Sequence, residues 1–189
     1  MQYPQLYEHF RSHIALSEEA YLDLEKRLIK KSIKKKEYLI KEGKIIKYLP
    51  YIKDGLLVNY RLDDNGNTHV IQIRYTGSWL GDLYSFFNNS MTHFNIQAFQ
   101  DTELLLINRE TFEYISEKYP IYEKYFRIGI QNAYSQTINQ VFNIHSQSAE
   151  TRYQELIKSI PSIVEDIPHY MIASYLGIKP QSLSRIRKQ

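Results

Sequence analysis

The 189-residue sequence has no cysteine, which removes disulfides, thiolate zinc sites and cysteine-ligated iron–sulfur clusters at once. No stretch reaches the roughly 20 apolar residues that a membrane helix needs. The opening "MQYPQLYEHFRSH" has no apolar run of the signal-peptide kind. A soluble cytoplasmic protein without a membrane partner is expected. Glycine (7) and proline (6) are scarce, so each one is a positional marker. Acid is missing from one place: Ile167 to Gln189 contains no Asp or Glu but holds Lys179, Arg185, Arg187 and Lys188. The first 166 residues then carry 20 basic against 21 acidic side chains. The net charge of +3 is therefore a carboxy-terminal excess, the asymmetry that suits a polyanion partner.

The residues present are enough for a core: 43% apolar and 14% aromatic, with 17 tyrosines. The length suits one large domain or two small ones. Ser17 is a good N-cap for "LSEEAYLDLEKRLIKKSI", with acids early and bases late, and Leu22, Leu24, Leu28 and Ile29 on an apolar side; the segment predicts a helix. From Tyr38 to Asn108 the character changes. Turn signals such as "KEGK", "DDNGN" and "YTGS" separate short runs rich in Ile, Leu, Val and Tyr. "GLLVNYRL" and "THVIQIRY" flank an Asn65-Gly66 turn, a strong hairpin signal. In the second run Val70, Gln72 and Arg74 alternate with Ile71, Ile73 and Tyr75. "FNIQAF" alternates Phe94, Ile96 and Ala98. Many short strands at close spacing predict a small antiparallel barrel or sandwich.

Helical signals return after Asn108, which can cap "RETFEYISEKY". Pro120 then suits a first helical turn. Ile121 to His145 has no proline and one glycine. Tyr122, Phe126, Ile130, Ala133, Thr137, Val141 and Ile144 fall on one side of it; Tyr125, Ile128, Tyr134, Ile138 and Phe142 lie off that side. A helix apolar on more than one side needs more than one neighbour: its own barrel, and a second copy of the chain. Ser148 caps "AETRYQELIKSI", and Pro161 and Pro168 interrupt the chain after that helix.

The last stretch carries a positional pattern. With His169 as position one, Ile172, Ala173, Leu176, Gly177, Ile178, Leu183 and Ile186 occupy positions four, five, eight, nine, ten, fifteen and eighteen. This is a helix-turn-helix pattern. A small residue is needed where the helices touch, glycine where the chain turns, and apolar residues where they pack. Gln181, Ser182, Ser184, Arg185, Lys188 and, nearer the edge, Arg187 are the polar positions of the second helix. Arg and Gln can pair with base edges in the major groove of double-stranded DNA, while Lys179, Lys188 and Ser hold phosphates. The plainer reading is an amphipathic helical hairpin with a solvated basic face.

The run "SAETRY…IPHYMIASYLGIKPQSLSRIRK" resembles the end of Crp/Fnr-type transcription regulators of the Bacteroidetes kind. "KEYLIKEGKIIKYLPYIKDGLLVNYRL" and "GDLYSFF…FNIQAFQDTELLLINRETF" resemble their sensor domain. The resemblance implies an α+β chain in three parts. These are a cyclic-nucleotide-binding-like β-roll with flanking helices over 1–118, a dimerisation helix over 119–146 and a helix-turn-helix DNA-binding domain over 147–189. It implies a homodimer on a two-fold operator, RNA polymerase as a further partner, and no enzyme activity. Cyclic-AMP-binding members carry a Gly-Glu-Leu, spacer, Arg-Ser/Thr-Ala cassette. Here its counterparts are Gly81, Asp82 and Leu83, then Thr92, His93 and Phe94, which together mark the effector pocket. Asp82 can mimic the ribose-binding carboxylate. No Arg or Lys lies between Arg74 and Arg109, so the buried cation for a cyclic phosphate is missing. His93 is either a replacement contact or an ordinary loop histidine. The barrel is therefore expected not to be specific for cyclic AMP. Any effector is then expected to be neutral, or else to have its charge met at a different wall of the pocket, and Trp79, Phe86 and Phe94 favour a flat or apolar molecule.

Three other features point less far. His9 and His13 are four residues apart, but no third metal ligand is evident. The lysine-rich run "KRLIKKSIKKKEYLIKEGKIIK" is interleaved with core residues and reads as a solvated face. A cupin-like barrel enzyme needs a His-x-His cluster, and histidines 9, 13, 69, 93, 145 and 169 do not supply one. A barrel serving only as a ligand-free dimer scaffold remains open beside the sensing one.

Overall fold

A computed structural model describes residues 1–188. In chain order the elements are α1 (Pro4–Arg11), α2 (Glu18–Glu25), β1 (Ile29–Ile33), β2 (Tyr38–Ile40), β3 (Tyr48–Asp54), β4 (Leu56–Leu62) and β5 (Thr68–Tyr75). Then come α3 (Leu83–Asn88), β6 (Asn95–Ala98), β7 (Thr102–Asn108), α4 (Arg109–Lys118) and α5 (Ile121–Ser146). The chain ends with α6 (Ala149–Ser159), α7 (Ile163–Asp166), α8 (His169–Tyr175) and α9 (Pro180–Ile186). The fold is α+β, with antiparallel sheets ordered β1-β7-β3 and β2-β6-β4-β5 and helices at their flanks.

Local chemistry explains most boundaries. Ser17, Asn108 and Ser148 each accept a hydrogen bond from the backbone N–H three residues on, at 3.2, 2.8 and 3.1 Å. Each cap satisfies a donor that the first helical turn leaves free. One expectation fails. The helix after Ser17 stops at Glu25, and Ile29–Ile33 is a strand paired along its length with β7. The basic residues that looked like a helix end lie on an exposed strand face, while Ile33 enters the core. A partner about 75 residues away in sequence overrides local helix propensity.

Gly55 joins β3 to β4 at φ +111°. A Cβ there would lie 2.5 Å from Oγ1 of Thr102 and 2.7 Å from the carbonyl oxygen of Asp101, so no other residue fits the corner. At the Asn65-Gly66 turn, Asp63 accepts backbone N–H groups from Asn65 and Asn67. The β4–β5 hairpin also contains a bulge. Asn59 pairs with Gln72 but Tyr60 pairs with Val70, leaving Ile71 as the extra residue. The bulge resets the alternation of β5. Val70 and Ile73 share one buried face, and Gln72 and Arg74 turn to the other.

There are two cores. The first joins both sheets to α1, α2, α4 and the start of α5, through residues such as Phe10, Tyr21, Leu57, Ile96, Leu104 and Tyr122. The second lies on the opposite face of the β4–β5 hairpin. Leu56, Val58, Tyr60, Val70 and Ile73 meet Tyr153, Leu156, Ile163, Met171, Ile172, Ala173 and Leu183 of the last four helices. Strand β4 is thus buried on both faces, which is why "LLVNY" reads as a continuous apolar run.

Candidate functional site

The C-terminal pair α8 and α9 is joined by a turn at Leu176–Lys179, with Gly177 at φ +68°. Ala173 and Leu183 are wholly buried between the helices and their support. Around α9, at about 100° per residue, Gln181 and Arg185 fall within about 40° of one another and roughly opposite Leu183, and Lys188 follows in the turn after the helix. All three are exposed, as are Lys179, Ser184 and Arg187, while Ser182 is partly covered. Ser184 donates its hydroxyl to the Pro180 carbonyl at 3.1 Å, so it is turned back on the helix. Arg187 lies towards α8: partial burial, and then this guanidinium, hold the imidazole of His169 below its ordinary pKa. Among the described residues, Lys179, Gln181, Arg185, Arg187 and Lys188 have no side-chain partner.

Three contacts fix this helical pair to the rest of the chain. The Ser174 hydroxyl accepts the N–H of Val70 at 2.9 Å and donates to the carbonyl of Thr68 at 2.7 Å. It thereby occupies two free backbone groups of the edge strand β5. Asp166 accepts from Tyr75 at 3.1 Å and from Gln100 at 2.7 Å. The Arg152 guanidinium donates to the Leu176 carbonyl at 3.0 and 3.2 Å and to carbonyls of Asn143, Ile144 and Gln147. A single cation thus satisfies the C-terminal ends of α5 and α8 together. Neither Ser174 nor Arg152 is singled out by the sequence, because neither has a signal beyond its place in the chain.

Helix α5 enters the core only at its start, where Tyr122 and Tyr125 are buried; its later turns touch the rest of the chain along one side, through Gln136, Gln140, Asn143 and Ile144. Farther along, Ile130, Tyr134, Ile138, Val141 and Phe142 form an exposed stripe, with Tyr134 at 68% and Phe142 at 66% of full exposure. At 1.5 Å per residue the stripe runs about 18 Å. Among the described residues nothing covers it.

The proposed effector residues separate into three groups. Gly81 and Leu83 line an open cavity of about 390 Å³ between the barrel, α1 and α5. Asp82 and Thr92 do not line it. Asp82 caps α3, accepting from Ser85 N–H at 3.2 Å, and accepts the Thr92 hydroxyl at 2.8 Å; Thr92 is 1% exposed. The acid that stood for a ribose-binding carboxylate is thus spent inside the fold. His93 is exposed and lines neither this cavity nor the void of about 40 Å³ between the sheets. Of the aromatic residues expected there, Trp79 lines the cavity. Phe86 and Phe94 do not, and their places are taken by Phe87, Tyr125 and Phe126.

The cavity also holds residues that the cassette did not suggest. Arg74 lies on its wall and donates to Oε1 of Gln136 at 3.3 Å. His9 and His13 form another wall, with ring centres 5.3 Å apart. Burial, and then His13, hold His9 below its ordinary pKa. Among the described residues no group of three or more His, Asp or Glu side chains is placed to hold a metal, so His9 and His13 gain no third ligand there. The Trp79 indole N–H donates to the Tyr125 hydroxyl at 2.8 Å, and burial pushes that phenol's pKa up.

Comparison with known proteins fits this geometry. Residues 30–119 match the family model of the cyclic nucleotide-binding domain. No curated protein matches the sequence. Among solved structures, the c-di-GMP responsive global regulator CLP of Xanthomonas campestris aligns with TM-score 0.73 at 11% identity. The alignment covers 91% of this chain and 90% of that one. A Eubacterium rectale structure assigned to the Crp/Fnr family of transcriptional regulators aligns with TM-score 0.72 at 20% identity, covering 92% and 82%. The catabolite activator protein of Thermus thermophilus aligns with TM-score 0.61 at 15% identity, covering 92% and 83%. At these identities the likeness is one of fold. No helix among the described residues is long and apolar enough to cross a membrane.

Proposed function

We propose that the chain is a DNA-binding transcription regulator of the Crp/Fnr type, of the Bacteroidetes kind. It acts as a homodimer paired along α5, with α8 and α9 as a helix-turn-helix. The observation that carries this is the outward face of α9 and the turn after it: Gln181, Arg185 and Lys188 are exposed and, among the described residues, without intramolecular side-chain partners, in a stretch free of acids. Such a face suits the major groove, where Arg and Gln pair with base edges and Lys with phosphates. Lys179 and Ser182 serve as phosphate contacts at the start of the helix. Ser184 and Arg187, one turned back on its helix and one beside His169, take edge positions. RNA polymerase is the further partner such a regulator addresses from its operator.

The barrel acts as a sensor that does not take cyclic AMP. Its cassette acid Asp82 is occupied by Ser85 and Thr92, and the space between the sheets is far below the 300 Å³ or more of an ordinary ligand pocket. Two measurements test the reading. Selection from a pool of random duplexes is expected to enrich a palindrome with half-sites about one helical turn, roughly 34 Å, apart; no enriched motif, or an asymmetric one, overturns it. Isothermal titration is expected to give no cyclic AMP or cyclic GMP binding in the micromolar range; a micromolar constant means that the phosphate site has been misplaced.

A further inference from the structure

The cavity beside α5 has an unusual charge inventory. Its wall contains one arginine and two histidines, and no Asp, Glu or Lys. Among the described residues no carboxylate pairs with Arg74. The guanidinium is partly buried and donates only to neutral groups, the Gln136 amide at 3.3 Å and the Ile73 carbonyl at 3.4 Å, which leaves three of its five N–H donors without a partner among the described residues. Burial and the neighbouring His13 hold His9 below its ordinary pKa, and Arg74, which stays protonated at any ordinary pH, is the permanent charge of the site.

Much of the remaining wall is apolar and rich in aromatic rings. Trp79 and Phe126 meet edge to face, with ring centres 6.0 Å apart and planes at 67°, and Phe87 and Tyr125 line the same wall. Neutral amides of Gln72, Asn132 and Gln136 complete the rim. Arg74 reaches this wall because the bulge at Ile71 turns Gln72 and Arg74 away from the face of Val70.

We infer that this cavity is a binding site for a planar aromatic monocarboxylate, with the carboxylate on Arg74 and the ring among Trp79, Phe87 and Phe126. One guanidinium presents a planar fork to one carboxylate. A second negative charge has no partner in the wall. A ribose has no carboxylate to accept its hydroxyls, since Asp82 lies outside the lining. About 390 Å³ is ample for one or two fused rings. The site belongs to the sensing role proposed above and names its ligand class. It also touches the dimer stripe: Ile130 is both a wall residue and the first exposed member of that stripe, so a second chain lying on α5 would roof the bound ring.

Trp79 is the only tryptophan in the chain and lines the cavity, so its fluorescence reports occupancy directly. The full chain is titrated with benzoate, 1-naphthoate and indole-3-acetate, with their neutral amides, and with cyclic AMP. Saturable quenching by at least one carboxylate is expected, weaker by roughly 10- to 100-fold for the matching amide and for Arg74→Gln. Arg74→Lys is expected to fall between. Circular dichroism of each variant shows that it is folded. The inference is overturned if no carboxylate quenches at millimolar concentration, if Arg74→Gln or the amide binds as tightly, or if cyclic AMP takes the site in an Arg74-dependent way. The titration needs no DNA. Its failure leaves the assignment of α9 standing, and a Lys188→Ala variant that loses DNA binding is expected to keep the quenching.

Discussion

Ser174 and Val70, 104 residues apart, are joined by a 2.9 Å hydrogen bond from the Val70 backbone N–H to the Ser174 hydroxyl. The same hydroxyl reaches the Thr68 carbonyl, so one side chain of α8 stands in for a missing strand at the edge of β5. Ser174→Ala leaves both backbone groups without a protein partner. We predict a loss of about 1–2 kcal/mol and faster amide exchange at Val70. Unchanged exchange at Val70 means that the contact does not hold the helical pair in place.

The stripe on α5 is predicted to be the dimer interface. A charge placed there is either buried unpaired or keeps the helices apart. Ile138→Asp is expected to raise the dimer dissociation constant roughly 100-fold or more, as read by sedimentation velocity. A wild-type protein that sediments as a monomer at micromolar concentration refutes the pairing.

On DNA, Arg185→Ala is predicted to cost about 1–3 kcal/mol per half-site and to relax base preference. Lys188→Ala should weaken all duplexes alike and lower the salt slope by about one. Anisotropy titrations on selected and scrambled duplexes separate the two. If Arg185→Ala binds the selected duplex as tightly as wild type does, α9 reads no bases through Arg185.

Asp23 ties α2 to the last turns of α4 and to Tyr119, which caps it. It accepts from Lys118 at 2.7 Å, Tyr114 at 3.0 Å and Tyr119 at 3.2 Å. These bonds, Lys118's first, push its pKa down to about 2. A depressed folded value means that the stabilisation is full above the unfolded carboxyl value of about 4 and is lost as pH falls towards about 2. Asp23→Asn is therefore expected to be less stable than wild type near neutral pH, with the gap closing over that acid range. Urea unfolding at several pH values measures it; a gap independent of pH removes Asp23 from the acid response.

Much of the fold could be read from local chemistry. The caps at Ser17, Asn108 and Ser148, the Asn65-Gly66 turn and the Ala173, Gly177 and Leu183 positions each depend on a few neighbouring residues. The misreadings involve distant partners. Ile29–Ile33 looks helical until β7 is available to pair with it. The place of Arg74 depends on the single extra residue at Ile71, which strict alternation cannot reveal. The cassette drew attention to Asp82 and His93, yet Asp82 is held within the fold and His93 faces outward. Gly81 and Leu83 of the cassette do line the open cavity, but the rest of its wall draws on α1, β5 and α5, segments that no contiguous motif connects.

The doubly buried strand β4 has a consequence for how such a chain can change. Leu56, Val58 and Tyr60 belong to the core of the last four helices, while Leu57, between them, belongs to the barrel. Cutting after α5 and grafting the tail onto a foreign barrel would strip the helices of the Leu56, Val58, Tyr60, Val70 and Ile73 side of their core and expose the outer face of the hairpin. The two ends of the molecule are thus not interchangeable cassettes. A substitution in β4 that suits one must be tolerated by the other, so the C-terminal helices and the barrel are constrained to diverge together.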